Sequence, residues 1–459
     1  MATEAPADGG WRALLRPEWL AALSVLLGGV LLHSMNVLLL ATILPTIVGE
    51  LGGAALMHWP TTSFLASSIV AATCTGVLTG ALGARATFCI GALVFGVGAL
   101  LCSMATAMSW VIAGRFVQGF GGGLLGAVAY VLVRNTFPEI VWSRAIALLS
   151  GMWSVSILVG PLAGGLFVRF GDWRSAFVAV AVVALLMAVG AFVVLPRTKA
   201  AERRASSVPA ARIALVCLAI GGTSAAAVVA AAWGKAALIA AGIACLVAMV
   251  AVDRRASMPL FPSDAFSLRS PTGVGLWLLL LLSVTYSPLQ IYVPIFLQRL
   301  HGLDPLSAGY AVAGASIGWT AAAVLVPSLH DRWPGRLIVL GPIVMAMGLL
   351  GLALLMTVRP VFAVLPGIFL LGAGIGMCWA FIAQRTMSGA RPGDETVAAS
   401  SVATVQQMGF AVGAAFAGLA ANLSGLLDDI ERATFWVPFS FVVPAVVALA
   451  AALRLRALR

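Results

Sequence analysis

Long apolar runs alternate with short polar segments along the whole chain, and each run approaches the ~20 residues that a helix needs to cross a bilayer. Fourteen runs are read: residues 20–48, 59–82, 86–108, 110–133, 145–168 and 174–195, then 211–232 and 235–252, then 272–298, 306–329, 337–357, 361–384, 396–422 and 434–453. The layout is six, two, six. The polar stretch PRTKAAERRASSVPAAR (196–212) parts the first six from the middle pair, and DRRASMPLFPSDAFSLRSP (253–271) parts the pair from the last six. The predicted organisation is a tail (1–18), a six-helix bundle (19–196), loops with two linker helices (197–269) and a second six-helix bundle with a short basic tail (270–459).

Composition agrees with an all-α polytopic membrane protein: 61% of the 459 residues are hydrophobic, 9% are charged, and the mean hydropathy is +1.06. The net charge of +11 comes from clusters between apolar runs. Membrane topology explains that pattern better than a nucleic-acid face, and most of the 27 basic residues then fall on the inner side, with both termini cytoplasmic. The N-terminal tail leads into a retained helix, since no small-residue cleavage site follows a short apolar core. The six cysteines lie inside apolar runs without CxxC spacing and read as small buried hydrophobes.

Two strings carry most of the mechanism. GRFVQGFGGG opens the fourth helix with Arg115 and Gln118 one turn apart on one face. A membrane arginine is costly, so Arg115 either faces a wet cavity or a partner, or snorkels to the outer surface. SVSILVGPLAGG (154–165) sets Gly160, Pro161, Gly164 and Gly165 in the fifth helix, where they form either a pivot or a packing gasket.

With these strings in place the chain resembles the major facilitator superfamily, and within it the fourteen-helix drug:proton antiporter branch (EmrB/QacA type). GRFVQGFGGG is similar to that superfamily's fourth-helix motif, and ILVGPLAGG to its antiporter motif. ATILPTIVGELGG, IYVPIFLQRLHGLDPLSAG (291–309) and VAASSVATVQQMGFAVGAA (397–415) resemble further stretches of the branch. The resemblance implies two six-helix bundles with two inserted helices, a substrate site at the midplane between the bundles, and export of small amphiphilic molecules by alternating access.

Two departures matter. The loop after the second helix usually reads G-x-L-x-D-R-x-G-R-R. Here GVLTGALGAR keeps Gly76, Leu78, Gly83 and Arg85 but has Gly80 and Ala81 in place of the acid and first arginine. The equivalent loop of the second half, PSLHDRWPGR, keeps Asp331, Arg332 and Arg336. Together these are the expected gating positions. In the first helix, relatives usually carry an aspartate nine residues before the proline, and counting back from Pro45 gives Asn36. Asparagine cannot titrate, and the sixteen acidic residues all fall in tails, loops or helix ends. His33 lies one turn away. Three readings stand for the pair: hydrogen bonds across helices, His33 as a substitute proton carrier, or contact with substrate in a transporter without proton coupling.

Further cavity candidates are Tyr286 and Gln290, one turn apart on one face and flanked by Pro288 and Pro294, which can unwind the helix locally, and Gln406 where relatives often have arginine. Core packing is the competing reading for Tyr286. A site holding Arg115 and no carboxylate disfavours permanent cations and admits neutral or anionic solutes. An uncoupled facilitator or exchanger of neutral or anionic metabolites or lipids is therefore the alternative to drug export. An enzyme would need convergent acid, base or metal ligands, which four scattered histidines do not supply. The expected partners are a small-molecule substrate and the bilayer of a plasma membrane, the bacterial inner membrane, with protons as the candidate coupling ion. No cofactor, metal or nucleic acid is expected, and the chain is expected to act as a monomer.

Overall fold

In hydrocarbon no water is available for backbone N–H and C=O groups, so each apolar run must satisfy them within its own helix. The computed structural model of the chain describes residues 11–14, 16–52, 56, 59–170, 172–196, 211, 212, 214, 215, 218, 219, 222, 229, 231–253, 259–265, 267–303, 305–329, 334–426 and 429–458. Among these residues, regular structure is helical throughout. The first six long helices are α1 (Pro17–Leu51), α2 (Trp59–Leu82), α3 (Ala84–Ser103), α4 (Met108–Thr136), α5 (Trp142–Phe170) and α6 (Trp173–Val194). After α7 (Ala232–Asp253) come α8 (Pro271–His301), α9 (Pro305–Leu329), α10 (Pro334–Leu355), α11 (Leu365–Ser388), α12 (Glu395–Leu423), α13 (Ile430–Ser440) and α14 (Val442–Ala457). Taking α13 and α14 as one span, 13 helices among the described residues are long and apolar enough to cross a membrane. The expected run at 211–232 lies largely outside the described residues.

Three boundaries differ from the sequence reading, each for a local reason. The third helix stops at Ser103 instead of running to 108, because SMATAMS mixes turn-forming Ser and Thr with Met and Ala that still score as apolar. The last run breaks at Phe441, between α13 and α14. Pro444 has no N–H to offer the Ser440 carbonyl four residues back. In the opposite direction, α8 stays continuous through Pro288 and Pro294, with no local unwinding. The prolines free the carbonyls of Val284 and Gln290, and the turns on either side stay helical all the same.

The chain divides into two compact units. The first comprises residues 1–213, 255–261 and 393–404, and the second residues 214–254, 262–392 and 405–459. In the first unit α4 is the hub: it packs closely on α2 and α3, while α1 packs mainly on α5 and α3 on α6. The second unit repeats the scheme, with α11 as hub between α9 and α10 and also touching α8. Helix α7 is the least buried of the candidate spans, with 19% of its most apolar window covered. Since lipid is as apolar as leucine, contacts between spans rest on close packing instead of water exclusion, and glycine decides how close two helices come.

Candidate functional site

The glycines of α4 draw its neighbours in. A Cβ on Gly119 or Gly123 would strike the backbone carbonyl of Phe64 or Ser68 on α2, and one on Gly121 would strike the Phe95 backbone on α3. Gly122 has a different neighbour: its missing side chain leaves room for the imidazole of His33 from α1. The GxxxG-like string thus does more than pack helices, because it seats a polar ring of the first helix against the fourth.

Around that seat lies a cluster of buried polar side chains. Arg115, Asn36 and Gln118 are fully buried and His33 is 5% exposed. Arg115 therefore does not snorkel to the outer surface. Its Nη1 donates to the Gln118 carbonyl oxygen at 2.7 Å and, in a short contact, to that of Asn36. Its Nε donates to the Pro60 carbonyl at 3.5 Å. The guanidinium lies 4.1 Å from the centroid of Phe64, and the His33 ring stacks on the same Phe64 at 5.4 Å with a 22° interplanar angle. Trp153 of α5 meets His33 edge-on at 6.0 Å, and the Ser34 and Ser156 hydroxyls form a short hydrogen bond between α1 and α5.

Four buried nitrogens of this cluster have no protein partner: His33 Nδ1, Asn36 Nδ2, Arg115 Nη2 and Gln118 Nε2. Among the described residues, the buried polar side chains of the first unit include no carboxylate. The sequence reading brought His33 to Asn36 and Arg115 to Gln118 by helical spacing, and the structure joins the two pairs into one group. Phe64 was missed. Its only signal was an aromatic ring amid the small polar residues of PTTSFLASS, and its partners lie on two other helices.

The fifth-helix motif packs on α1. A Cβ on Gly160 would lie 2.8 Å from Leu38 Cβ and 3.1 Å from the Met35 carbonyl, and one on Gly164 would lie 3.0 Å from Thr42 Cβ. Gly165 has open space around it, and the side chain of Pro161 lies outside the described set although its helical position is given. Near the end of α2, Gly76 lies against Ser400 and Val397, and Gly83, just past the helix, has a φ of +84°, in the range that favours glycine. Arg85 donates to the Phe192 carbonyl at 3.1 Å and covers that residue's ring, so it is fixed on α6. Arg336 is exposed, while Asp331 and Arg332 lie outside the described residues.

In the second unit Tyr286 is buried in an aromatic cluster. Trp319 lies edge-on to it at 5.5 Å and Phe410 lies at 6.2 Å, while Trp379 is 5.9 Å from Trp319. The Tyr286 hydroxyl bonds to Ser316. Gln290, one turn along α8, is exposed, and Gln406 is half-buried. Spacing placed Tyr286 and Gln290 on one face, and that face runs from buried to open within a turn.

A second polar group ties the far ends of the first unit's helices together. Glu50, at the end of α1, accepts from Trp173 Nε1 and from Arg174 Nη1, each at 2.6 Å, and Arg174 Nη2 donates to the Ala105 carbonyl at 3.0 Å. The indole bond, then the guanidinium bond, holds the Glu50 carboxyl below the usual carboxylate range.

Comparison with known proteins places the chain among transporters. The family described as Major Facilitator Superfamily matches residues 26–414. A Mycobacterium tuberculosis protein named "Probable multidrug-efflux transporter" is 35% identical over 436 residues, covering 92% of each chain. The riboflavin transporter RibZ of Clostridioides difficile is 22% identical over 421 residues, covering 88% of each. Among solved structures, the human organic anion transporter MFSD10 superposes with a TM-score of 0.71 at 14% identity, over 95% of this chain and 99% of that one, which speaks to the fold alone.

Proposed function

The chain belongs to the major facilitator superfamily, as a multi-pass transporter of drug-efflux type in the bacterial inner membrane, and from that premise we propose that it exports small amphiphilic molecules by alternating access of its two six-helix bundles. The single observation that carries the reading is the buried cluster of His33, Asn36, Arg115 and Gln118, whose unpartnered nitrogens lie inside a membrane bundle. Unsatisfied polar atoms in hydrocarbon are expensive, and sites of transport are where such groups are kept. Phe64 and Trp153 supply an apolar, aromatic wall to the same group, which suits a solute that is part greasy and part polar.

His33 is the candidate coupling residue, since it is the one titratable ring of the cluster besides the permanently charged Arg115. A second reading, a facilitator or exchanger of neutral or anionic metabolites without protons, is favoured by the lack of a buried carboxylate among the described residues of the first unit. Purified protein reconstituted in liposomes with an internal pH dye separates the two. Substrate-dependent proton flux in wild type that is lost in His33→Gln supports proton-coupled export. Solute movement without proton movement supports the second reading. If no cationic, neutral or anionic amphiphile moves in either protein, the proposed function fails.

A further inference from the structure

Counting hydrogen-bond capacity around Arg115 gives an uneven result. The guanidinium has five N–H bonds. Nε is spent on the Pro60 carbonyl, and Nη1 on the side-chain oxygens of Asn36 and Gln118. Both hydrogens of Nη2 remain, together with those of Asn36 Nδ2 and Gln118 Nε2, because each amide has turned its oxygen toward the arginine. The three side chains are fully buried. The group therefore has its amide oxygens used, three donor nitrogens spare and one fixed positive charge. His33 Nδ1, also unpartnered, is the remaining nitrogen, and its role depends on the tautomer.

An unmade hydrogen bond at a buried donor costs about 1–3 kcal/mol, and more at a charged one. Three such nitrogens around one guanidinium make sense when a ligand supplies what they lack: a negative, acceptor-only group. A carboxylate fits this description, since its two oxygens accept from a guanidinium edge and from flanking amides without offering a hydrogen in return. A neutral amide offers half of this, and a quaternary ammonium opposes it on charge and hydrogen bonding alike.

We propose that Arg115, Asn36 and Gln118 form an anion-binding subsite that accepts a small oxyanion or halide, in the first instance the carboxylate of an aromatic organic acid. This rests on the proposed transport function and names the substrate class for it. Phe64 under the guanidinium and Trp153 edge-on to His33 make the surroundings of the group aromatic, which suits an acid carried on an apolar body. The two sources of the same chemistry are the exported solute itself and a free inorganic anion such as chloride.

The experiment uses the full chain in lipid nanodiscs and three probes sharing one ring system: naphthalene-2-carboxylate, naphthalene-2-carboxamide and a trimethylammonium naphthalene. Binding is measured at neutral pH in low-salt buffer and again with added sodium chloride, for wild type, Asn36→Asp and Gln118→Glu. Each variant places a carboxylate of nearly the same size beside the guanidinium, so it occupies the free donors from within. We expect the carboxylate probe to bind wild type at least about tenfold more tightly than the carboxamide, the gain of one charge-assisted hydrogen bond. Both variants should lose that preference while keeping the wild-type melting temperature. If one variant misfolds, the other still decides.

Carboxylate preference in low salt that chloride competes away assigns the site to the solute's acid group. Chloride binding that the variants abolish, with carboxylate and carboxamide bound alike, assigns it to the inorganic ion. The inference is overturned if the trimethylammonium probe binds wild type as well as the carboxylate does, if both variants keep the carboxylate preference, or if neither carboxylate nor chloride binds. The function is read apart from this, by liposome export. Export of cationic amphiphiles with no anion binding would leave the transporter standing and remove the subsite, and anion binding without export of any probe would do the reverse.

Discussion

The guanidinium of Arg115 and the ring of Phe64 are in face contact, with 4.1 Å between the guanidinium carbon and the ring centroid, and that ring also carries the stacked imidazole of His33. One aromatic residue of α2 therefore orders polar groups from both α1 and α4. A cation over an aromatic face contributes about 0.5–2 kcal/mol, the upper end when desolvated.

Phe64→Leu keeps most of the apolar volume and removes the π face. We expect the variant to fold, with a melting temperature within a few degrees of wild type, and to transport with roughly five- to thirtyfold lower apparent affinity, the equivalent of ~1–2 kcal/mol. Concentration-dependent export from liposomes measures it. Wild-type affinity would mean that Phe64 is plain packing.

The glycines of α4 differ sharply in what surrounds them, and substitution should follow that difference. Gly123→Ala drives a Cβ into the Ser68 carbonyl, a backbone atom that cannot step aside, whereas Gly126 has open space. Overpacking of this kind typically costs about 1–3 kcal/mol. Gly123→Ala should lower the melting temperature and the yield of detergent-stable protein, and Gly126→Ala should leave both unchanged. Equal behaviour of the two variants would show that the α2–α4 distance is not set by these glycines.

Much of this was legible in the sequence, and the reasons differ residue by residue. Spans such as Trp59–Leu82 follow from length and hydropathy, because a bilayer imposes both. The pairing of Arg115 with Gln118 follows from their separation of one turn on one helix. The meeting of Arg115 with Asn36, and of His33 with Phe64 and Gly122, joins helices far apart in sequence, and no periodicity encodes which faces turn toward each other. The break before Val442 and the continuity of α8 through Pro288 show the same limit. A proline marks a lost donor, and whether the helix yields depends on what neighbouring groups do with the freed carbonyl. The tie from Glu50 to Trp173 and Arg174 was similarly invisible, since its members are more than 120 residues apart.

That tie gives a pH prediction with a definite sign. Glu50 has a lower pKa in the folded chain than its ordinary value of 4.5, first through the Trp173 bond and then through Arg174. Its contribution to stability is therefore present above the ordinary value and is lost as pH falls through the lower, folded-state value. Glu50→Gln should melt below wild type at neutral pH, and the gap should close in acid below the carboxylate range. Thermal unfolding of both proteins at the two conditions checks this. A gap that stays constant with pH would mean that the carboxylate charge plays no part.

Arg115→Lys separates charge from geometry. Lysine keeps the positive charge but lacks the planar fork by which one nitrogen of Arg115 serves both Asn36 and Gln118 while another stays free. If the cluster needed only a cation, the variant would transport like wild type. The hydrogen-bond arrangement argues otherwise: an ammonium drawn to the two amide oxygens leaves no second donor edge for a solute and sits poorly over the Phe64 face. Losing one charge-assisted hydrogen bond of about 1.5–3 kcal/mol corresponds to a fall of roughly ten- to a hundredfold in affinity. Export assays across solute concentrations, with Arg115→Gln as the uncharged comparison, decide it. Lysine behaving like glutamine makes the fork the essential feature, and lysine behaving like wild type makes the charge sufficient.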